Sequence, residues 1–162
     1  MRNTRLVVVA ALTIPLVLVA AYGILTQPNL AGNVNVGYTS FTVNGRTFLL
    51  SFLAETQSAR QNGLMNSKIT NETTVLFVFP KADYYSFWMF DVNSSLDIMW
   101  VNATGSIGRV VYLVQDVPGC TIALFCANYQ PTAKANLVLE ARGGFAKSNS
   151  IAVGTTISFS PP

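Results

Sequence analysis

Residues 38–53 read YTSFTVNGRTFLLSFL, and this segment decides the class of fold. Asn44-Gly45 lies at its centre, and this dipeptide is the strongest short-range signal for a two-residue hairpin turn. The runs on either side are rich in β-branched and aromatic side chains, which favour strands. The segment therefore predicts a β-hairpin.

Further runs of strand-like composition follow the hairpin and are separated by turn residues. They are residues 74–79, 86–90, 96–101, 107–115, 135–140 and 155–159. Residues 102–105, Asn-Ala-Thr-Gly, are expected to turn one hairpin. Only residues 56–63 have helical character, with Thr56 or Ser58 as the N-cap and Gly63 at the end. Eight or so short strands and one short helix predict a mainly β domain, either a small β-barrel or a sandwich.

An apolar segment precedes this domain. Residues 6–25 contain no charged side chain, and as a helix they would span roughly 30 Å, the thickness of the hydrocarbon core of a bilayer. Arg2 and Arg5 precede the segment, and no basic residue follows until Arg46. The positive-inside rule therefore predicts a single-pass transmembrane helix with its N-terminus in the cytoplasm.

This topology divides the chain into a signal anchor at residues 1–26, a linker at residues 27–37 and a β domain at residues 38–162. A cleaved signal peptide is the alternative, because Val19-Ala20-Ala21 has the small residues of a cleavage site and would leave Tyr22 as the N-terminus. Both alternatives place the domain outside the cytoplasm. It would be anchored to the cell membrane in the first case and secreted in the second.

The composition excludes several classes of function. The chain of 162 residues contains no histidine, which excludes Ser-His-Asp and Cys-His catalysis and histidine-ligated zinc. Charged residues make up 10% of the chain, against roughly 25% in an average soluble domain. Removing Arg2 and Arg5 from the 10 Lys and Arg leaves eight, against 7 Asp and Glu, a net charge of +1. No basic surface for nucleic acid is expected.

A series of short motifs runs through the β domain in a fixed order. They are Gly63-Leu64-Met65, LFVFP at residues 76–80, FWM at residues 87–89, LDI at residues 96–98, the Cys120 and Cys126 pair near Tyr129 and Pro131, and VLE at residues 138–140. From about residue 48 to residue 157 the chain resembles the uncharacterised family named domain of unknown function 192. The resemblance implies a compact, mostly β domain behind a signal sequence or anchor, with no established activity. This chain has Phe90-Asp91-Val92 where the family usually has Lys-Asn-Thr.

Cys120 and Cys126 are the only cysteines. Outside the cytoplasm such a pair is expected to form a disulfide, which stabilises the fold by about 2 kcal/mol for so short a loop. The alternative is a Cu(I) site in which Met65, Met89 and Met99 join the two thiolates, since these soft ligands select that ion.

Asp97 and Glu140 are the acids within the motifs, and both lie in apolar strands. They are candidates for a pair of catalytic carboxylates in a hydrolase or carbohydrate-active enzyme, which would have to face each other across a cleft. The alternative is a surface position or a structural ion pair with Arg60, Arg109 or Arg142.

Three sequons, at Asn71, Asn93 and Asn102, are predicted to lie in extracytoplasmic loops where N-linked glycans can be attached. The aromatic run Tyr84, Tyr85, Phe87 and Trp88 is a candidate contact surface.

The sequence favours a membrane-anchored extracytoplasmic binding module or an accessory subunit with protein partners in a membrane complex. On this hypothesis the chain is not an enzyme and needs no cofactor. The hydrolase with Asp97 and Glu140 and the copper protein with cysteine and methionine ligands are the alternatives.

Overall fold

The computed structural model describes residues 37–161. The predicted anchor at residues 1–26 lies outside the described residues, and so does the linker up to residue 36. Within residues 37–161, no helix is long and apolar enough to cross a membrane.

Ten strands and two short α-helices are found in the described part of the chain. In order they are β1 (Ser40–Val43), β2 (Arg46–Leu49), β3 (Phe52–Ala54), α1 (Gln57–Asn62), β4 (Thr74–Asp83), β5 (Phe87–Trp88), β6 (Leu96–Thr104), β7 (Ile107–Val117), a 3₁₀ turn (Ala123–Phe125), β8 (Asn128–Tyr129), β9 (Ala135–Arg142), α2 (Phe145–Ser148) and β10 (Thr156–Ser160).

The predicted hairpin is confirmed, but its second strand ends at Leu49, and Phe52–Ala54 form a separate strand that pairs in parallel with β4. β1 and β2 pair in antiparallel register from Ser40 opposite Leu49 to Val43 opposite Arg46. Asn44 and Gly45 turn the chain with φ values of 49° and 76°, which is the left-handed conformation that this dipeptide adopts readily.

Eight of the strands form one curled sheet in the order β2-β1-β10-β7-β6-β9-β4-β3, and β5 and β8 form a separate two-stranded sheet. β2 and β3 are the two edges of the large sheet, yet only Leu50 and Ser51 separate them in the chain. The Leu50 N–H donates to Thr39 O (2.8 Å), beside β1, and the Ser51 N–H donates to Thr74 O (2.9 Å) on β4. This link draws the two edges together, so the sheet is a half-barrel, where the sequence predicted a barrel or sandwich.

The predicted helix is confirmed as α1. The Thr56 side chain caps it by accepting from the Ala59 N–H, and Gly63 ends it with a φ of 46°. The structure has a second helix, α2, where the sequence predicted one helix only. At four residues, α2 is too short to show a helical period in the sequence.

The central strands are buried on both faces, with alternate side chains in two separate cores. On β6, Met99 and Val101 belong to the inner core, which also contains residues of β1, β4, β7, β9 and β10. Ile98 and Trp100 belong to the outer core, which is covered by α1 and by the segments around β5 and β8. Because neighbours alternate faces, a shift of one residue decides which core a side chain enters.

Candidate functional site

Residues of four motifs from the sequence analysis (GLM, LFVFP, FWM and VLE) meet at a small cleft between α1 and the outer face of the sheet. It is lined by the end of α1, Leu64 and Met65, the rings of Phe77, Phe87 and Trp88, and Glu140. We call it the Glu140 cleft. Its volume is about 30 Å³, which is room for about two water molecules.

Glu140 and Arg60 are the two ionisable residues that line this cleft. Glu140 lies on β9 opposite Ile98 of β6 and Val75 of β4, and both of these residues belong to the outer core. Its side chain is only 4% exposed, and this burial raises its pKa from 4.5 to about 8. Among the described residues no group hydrogen-bonds to its carboxyl and no cation lies within ion-pair distance of it. The Arg60 guanidinium donates instead to Val78 O at 2.9 Å. Glu140 is therefore mostly protonated at neutral pH and can donate a hydrogen bond into the cleft.

Asp97 is fully buried but faces the other side of the sheet, because it lies opposite Ala141, a residue of the inner core. Its Oδ1 accepts from the N–H groups of Asp116 (2.7 Å) and Gly144 (3.2 Å). Its Oδ2 accepts from the Ala146 N–H (2.7 Å). Asp97 therefore joins β6 to the end of β7 and to the first turn of α2.

The prediction of a catalytic carboxylate pair is wrong in its geometry, since Asp97 and Glu140 point to opposite faces of one sheet. The alternatives are wrong as well, since both acids are buried rather than at the surface and neither forms an ion pair with Arg60, Arg109 or Arg142. In the described part of the chain the one ion pair joins Lys81 and Asp83, at 3.5 Å.

The predicted disulfide between Cys120 and Cys126 is confirmed, with 5.7 Å between the two Cα atoms. Both sulfurs are therefore unavailable as thiolates. The methionines do not assemble the proposed copper site either, because Met99 lies in the inner core, on the other side of the sheet from Met89 in the outer core. The set of sulfur ligands proposed from the sequence is not brought together.

The disulfide closes a short apolar loop, residues 121–125, which is not among the sites predicted from the sequence. Ile122, Leu124 and Phe125 are 58%, 86% and 77% exposed, although all three are large apolar side chains. The sequence does contain a pattern that indicates this apolar loop, because residues 117–133 include no charged side chain. We call residues 121–125 the apolar loop.

The aromatic run divides into two exposed and two packed side chains. Tyr84 and Trp88 are 46% and 47% exposed. Tyr85 stacks on Phe79 with 3.6 Å between ring centroids, and Phe87 packs edge-on against the outer core. Trp88 lines the Glu140 cleft and pairs in register with Asn128, which lies two residues after the second cysteine of the disulfide.

The three sequon asparagines are exposed. Asn71 and Asn93 lie outside the strands, as predicted, but Asn102 lies within β6 opposite Arg109. The prediction of a loop at Asn102 is wrong because the β6–β7 hairpin turns only at residues 105–106, after Thr104.

Comparison with known proteins places the chain in a family. The model of domain of unknown function 192, described as "Uncharacterized ACR", matches residues 39–159. The chain belongs to this family, as its motifs predicted. None of the curated proteins compared with it is significantly similar.

Two solved structures are similar in fold. A protein provisionally assigned as a transcription regulator, from Sinorhizobium meliloti 1021, is 23% identical, with a TM-score of 0.62 over 76% of this chain and 96% of that one. A protein of unknown function from Novosphingobium aromaticivorans DSM 12444 is 22% identical, with a TM-score of 0.63 over 82% of this chain and 92% of that one. At these identities the likeness shows a shared fold.

Proposed function

We propose that this member of the domain of unknown function 192 family is a membrane-anchored, extracytoplasmic binding module that serves as an accessory subunit of a membrane complex. The observation that carries this proposal is the apolar loop. Ile122, Leu124 and Phe125 are all more than half exposed, and large exposed apolar patches mark interaction sites in soluble domains.

The disulfide prepares the loop for binding. It fixes both ends of a segment that also contains the 3₁₀ turn Ala123–Phe125. A partner that binds a restrained loop orders fewer free dihedral angles than one that binds a mobile loop, so less conformational entropy is lost. The proposed contact is therefore preorganised.

The chemistry of the surface favours an apolar protein partner. Trp88, which pairs with Asn128 shortly after the disulfide, is 47% exposed, and tryptophan and other aromatic residues are enriched at the centres of protein interfaces. Residues 117–133 contain no charged side chain, so this segment has no basic group that could bind lipid headgroups. A charged content of 10% fits a domain that buries part of its surface in an assembly.

The Glu140 cleft gives this face a specific polar contact. Because burial raises the pKa of Glu140 to about 8, its carboxyl offers a proton to a hydrogen-bond acceptor that enters beside Trp88. The apolar loop would supply contact area, and the cleft would select the partner group that fits.

The membrane part of the proposal rests on the sequence. An uncharged segment at residues 6–25 follows Arg2 and Arg5, and this pattern is typical of an anchor with a cytoplasmic N-terminus. Alkaline carbonate extraction tests it directly. The full chain should stay in the membrane pellet, whereas release into the supernatant would contradict the anchor.

The binding part is tested by the size of the complex. We would express the full chain in its native host, extract it in mild detergent and compare it with the double variant Leu124→Ser, Phe125→Ser. The matched control is Val153→Ser. Val153 is also apolar and exposed (62%), and it lies in a turn outside the apolar loop. We expect the wild type and the control to migrate as one discrete complex, and the loop variant as a lone chain.

Either of two results would refute the accessory-subunit proposal. The wild type could migrate as a lone chain, or the loop variant could remain in the complex. Thermal unfolding of each variant checks that the exposed substitutions leave the fold intact.

A further inference from the structure

A second concave surface carries charged side chains, and none of the residues that line it belongs to the apolar loop. It is lined by β2, by residues 71–74, by the end of β9 and by α2, and its volume is about 620 Å³. Pockets for small molecules usually have about 300–1,000 Å³. Because Arg46 and Arg142 both line it, we call it the arginine groove.

Arg46 is held in place by a neutral partner. Its guanidinium donates to Asn149 Oδ1 at 2.7 Å and lies 5.5 Å from the centroid of the Phe48 ring. Asn149 is itself only 7% exposed, and its Nδ2 donates to Phe145 O at 2.9 Å. A buried amide thus orients Arg46 while leaving its charge uncompensated.

Arg142 is held in the same manner. Its guanidinium donates to Asn71 Oδ1 at 2.6 Å, and this partner is also a neutral amide. No carboxylate of the described residues lies within ion-pair distance of either arginine. Each guanidinium has five N–H donors, so both keep donors for a ligand.

The other residues that line the groove indicate which kind of ligand would fit. Phe48 and Phe145 pack edge to face with 5.0 Å between ring centroids, and they present aromatic surface between the polar groups. Glu72 is the one acid in the lining, and its carboxylate accepts a hydrogen bond from Thr70 at 2.8 Å. The groove therefore combines two positive charges, one negative charge and an apolar floor.

We propose that the arginine groove binds a small organic acid with an apolar or aromatic body. Carboxylate oxygens match the planar fork of N–H donors that a guanidinium presents, which favours arginine over lysine at such sites. The body of the ligand would pack against Phe48 and Phe145. This binding site is independent of the partner contact proposed for the apolar loop.

The probe for this proposal is phthalate, an aromatic dicarboxylate, titrated into the full chain in mild detergent by calorimetry. Dimethyl phthalate, which has the same body without charge, is the ligand control. We expect phthalate to bind and its neutral ester not to bind. Affinity should fall as salt is added, because salt screens the exposed guanidinium groups.

Three substitutions separate the groove from the general charge of the domain. Arg46→Gln and Arg142→Gln should each weaken phthalate binding by about tenfold or more, since each removes a charged contact. Arg109→Gln removes an exposed arginine of β7 that does not line the groove, and it should change the affinity by less than about twofold.

Three results would overturn the proposal: no binding of phthalate to the wild type, equal binding of the neutral ester, or equal loss of affinity in Arg109→Gln. The unfolding temperature of each variant shows that lost binding does not reflect lost structure. The loop variant Leu124→Ser, Phe125→Ser should bind phthalate as the wild type does, so failure of the accessory-subunit proposal and failure of this one can be told apart.

Discussion

Asp97 and Glu140 occupy adjacent register positions on the neighbouring strands β6 and β9, since Asp97 pairs with Ala141 and Ile98 pairs with Glu140. Both are acids, and they are 0% and 4% exposed. Their surroundings differ completely, however. Asp97 accepts three backbone hydrogen bonds on the inner face, while Glu140 faces a small cleft on the outer face and has no partner among the described residues.

This difference shows that burial alone does not assign a role to an acid. The N–H groups around Asp97 replace the hydration that its carboxylate loses, so the side chain stabilises the fold. No group replaces the hydration of Glu140, so burial raises its pKa to about 8 and leaves a proton available at the cleft. We therefore assign a structural role to Asp97, while Glu140 remains the acid available to the binding face that we propose.

The largest expected effect is that of removing Asp97. Asp97→Ala would leave three backbone N–H groups without an acceptor, and each hydrogen bond to a charged group is worth about 1.5–3 kcal/mol. We expect a loss of at least about 3 kcal/mol in the free energy of unfolding, measured by denaturant unfolding of the full chain in mild detergent. Asp97→Asn keeps one acceptor oxygen and should lose less.

A loss below about 1 kcal/mol for Asp97→Ala would contradict the structural role. Removing Glu140 in the same assay sharpens the comparison. Glu140→Gln breaks no hydrogen bond among the described residues and should be the milder substitution at neutral pH.

The second effect is the dependence of stability on pH. The pKa of Glu140 is 4.5 in the reference state and about 8 in the folded protein, so between these values the folded chain binds more protons than the unfolded chain. The stability contributed by this group is present below pH 4.5 and is lost as pH rises toward 8, by up to about 1.4 kcal/mol per pH unit.

Glu140→Gln should remove this slope, because the amide does not titrate. Thermal unfolding of the wild type and the variant at a series of pH values between 5 and 9 measures it. An equal slope in both proteins, or a wild type that gains stability as pH rises through this window, would show that Glu140 is not the group responsible.

The smallest expected effect is that of salt. Neither acid has a cationic partner in the described part of the chain, whose one ion pair, Lys81–Asp83, is largely exposed. Raising sodium chloride from about 0.05 M to about 0.5 M should therefore change the free energy of unfolding by less than about 0.5 kcal/mol. A strong dependence on salt would mean that one of these carboxylates is paired with a cation.

The local features of the fold could be predicted from the sequence because their causes are local. Asn44-Gly45 forms the hairpin turn by its own backbone preference. Thr56 and Gly63 mark the two ends of α1 for similar reasons. Cys120 and Cys126 lie close enough in sequence to be assigned to each other.

The candidate site could be predicted only in part, because its geometry depends on long-range register. Glu140 was singled out from its apolar strand, but the face that it occupies depends on the pairing of β9 with β6 and β4. A shift of one residue would have placed it beside Asp97. The arginine groove was beyond prediction for the same reason, since Arg46 and Arg142 come from strands far apart in the chain.

The most direct test of this assignment is the pKa of Glu140 itself. Carbon-13 NMR of the side-chain carboxyl, assigned by comparison with Glu140→Gln, follows its titration in the full chain in mild detergent. We expect a midpoint near the pKa of about 8 that burial imposes on Glu140. A midpoint near 4.5, the ordinary value for a glutamate, would mean that Glu140 is hydrated or paired and would contradict its role as the unpartnered acid of the cleft.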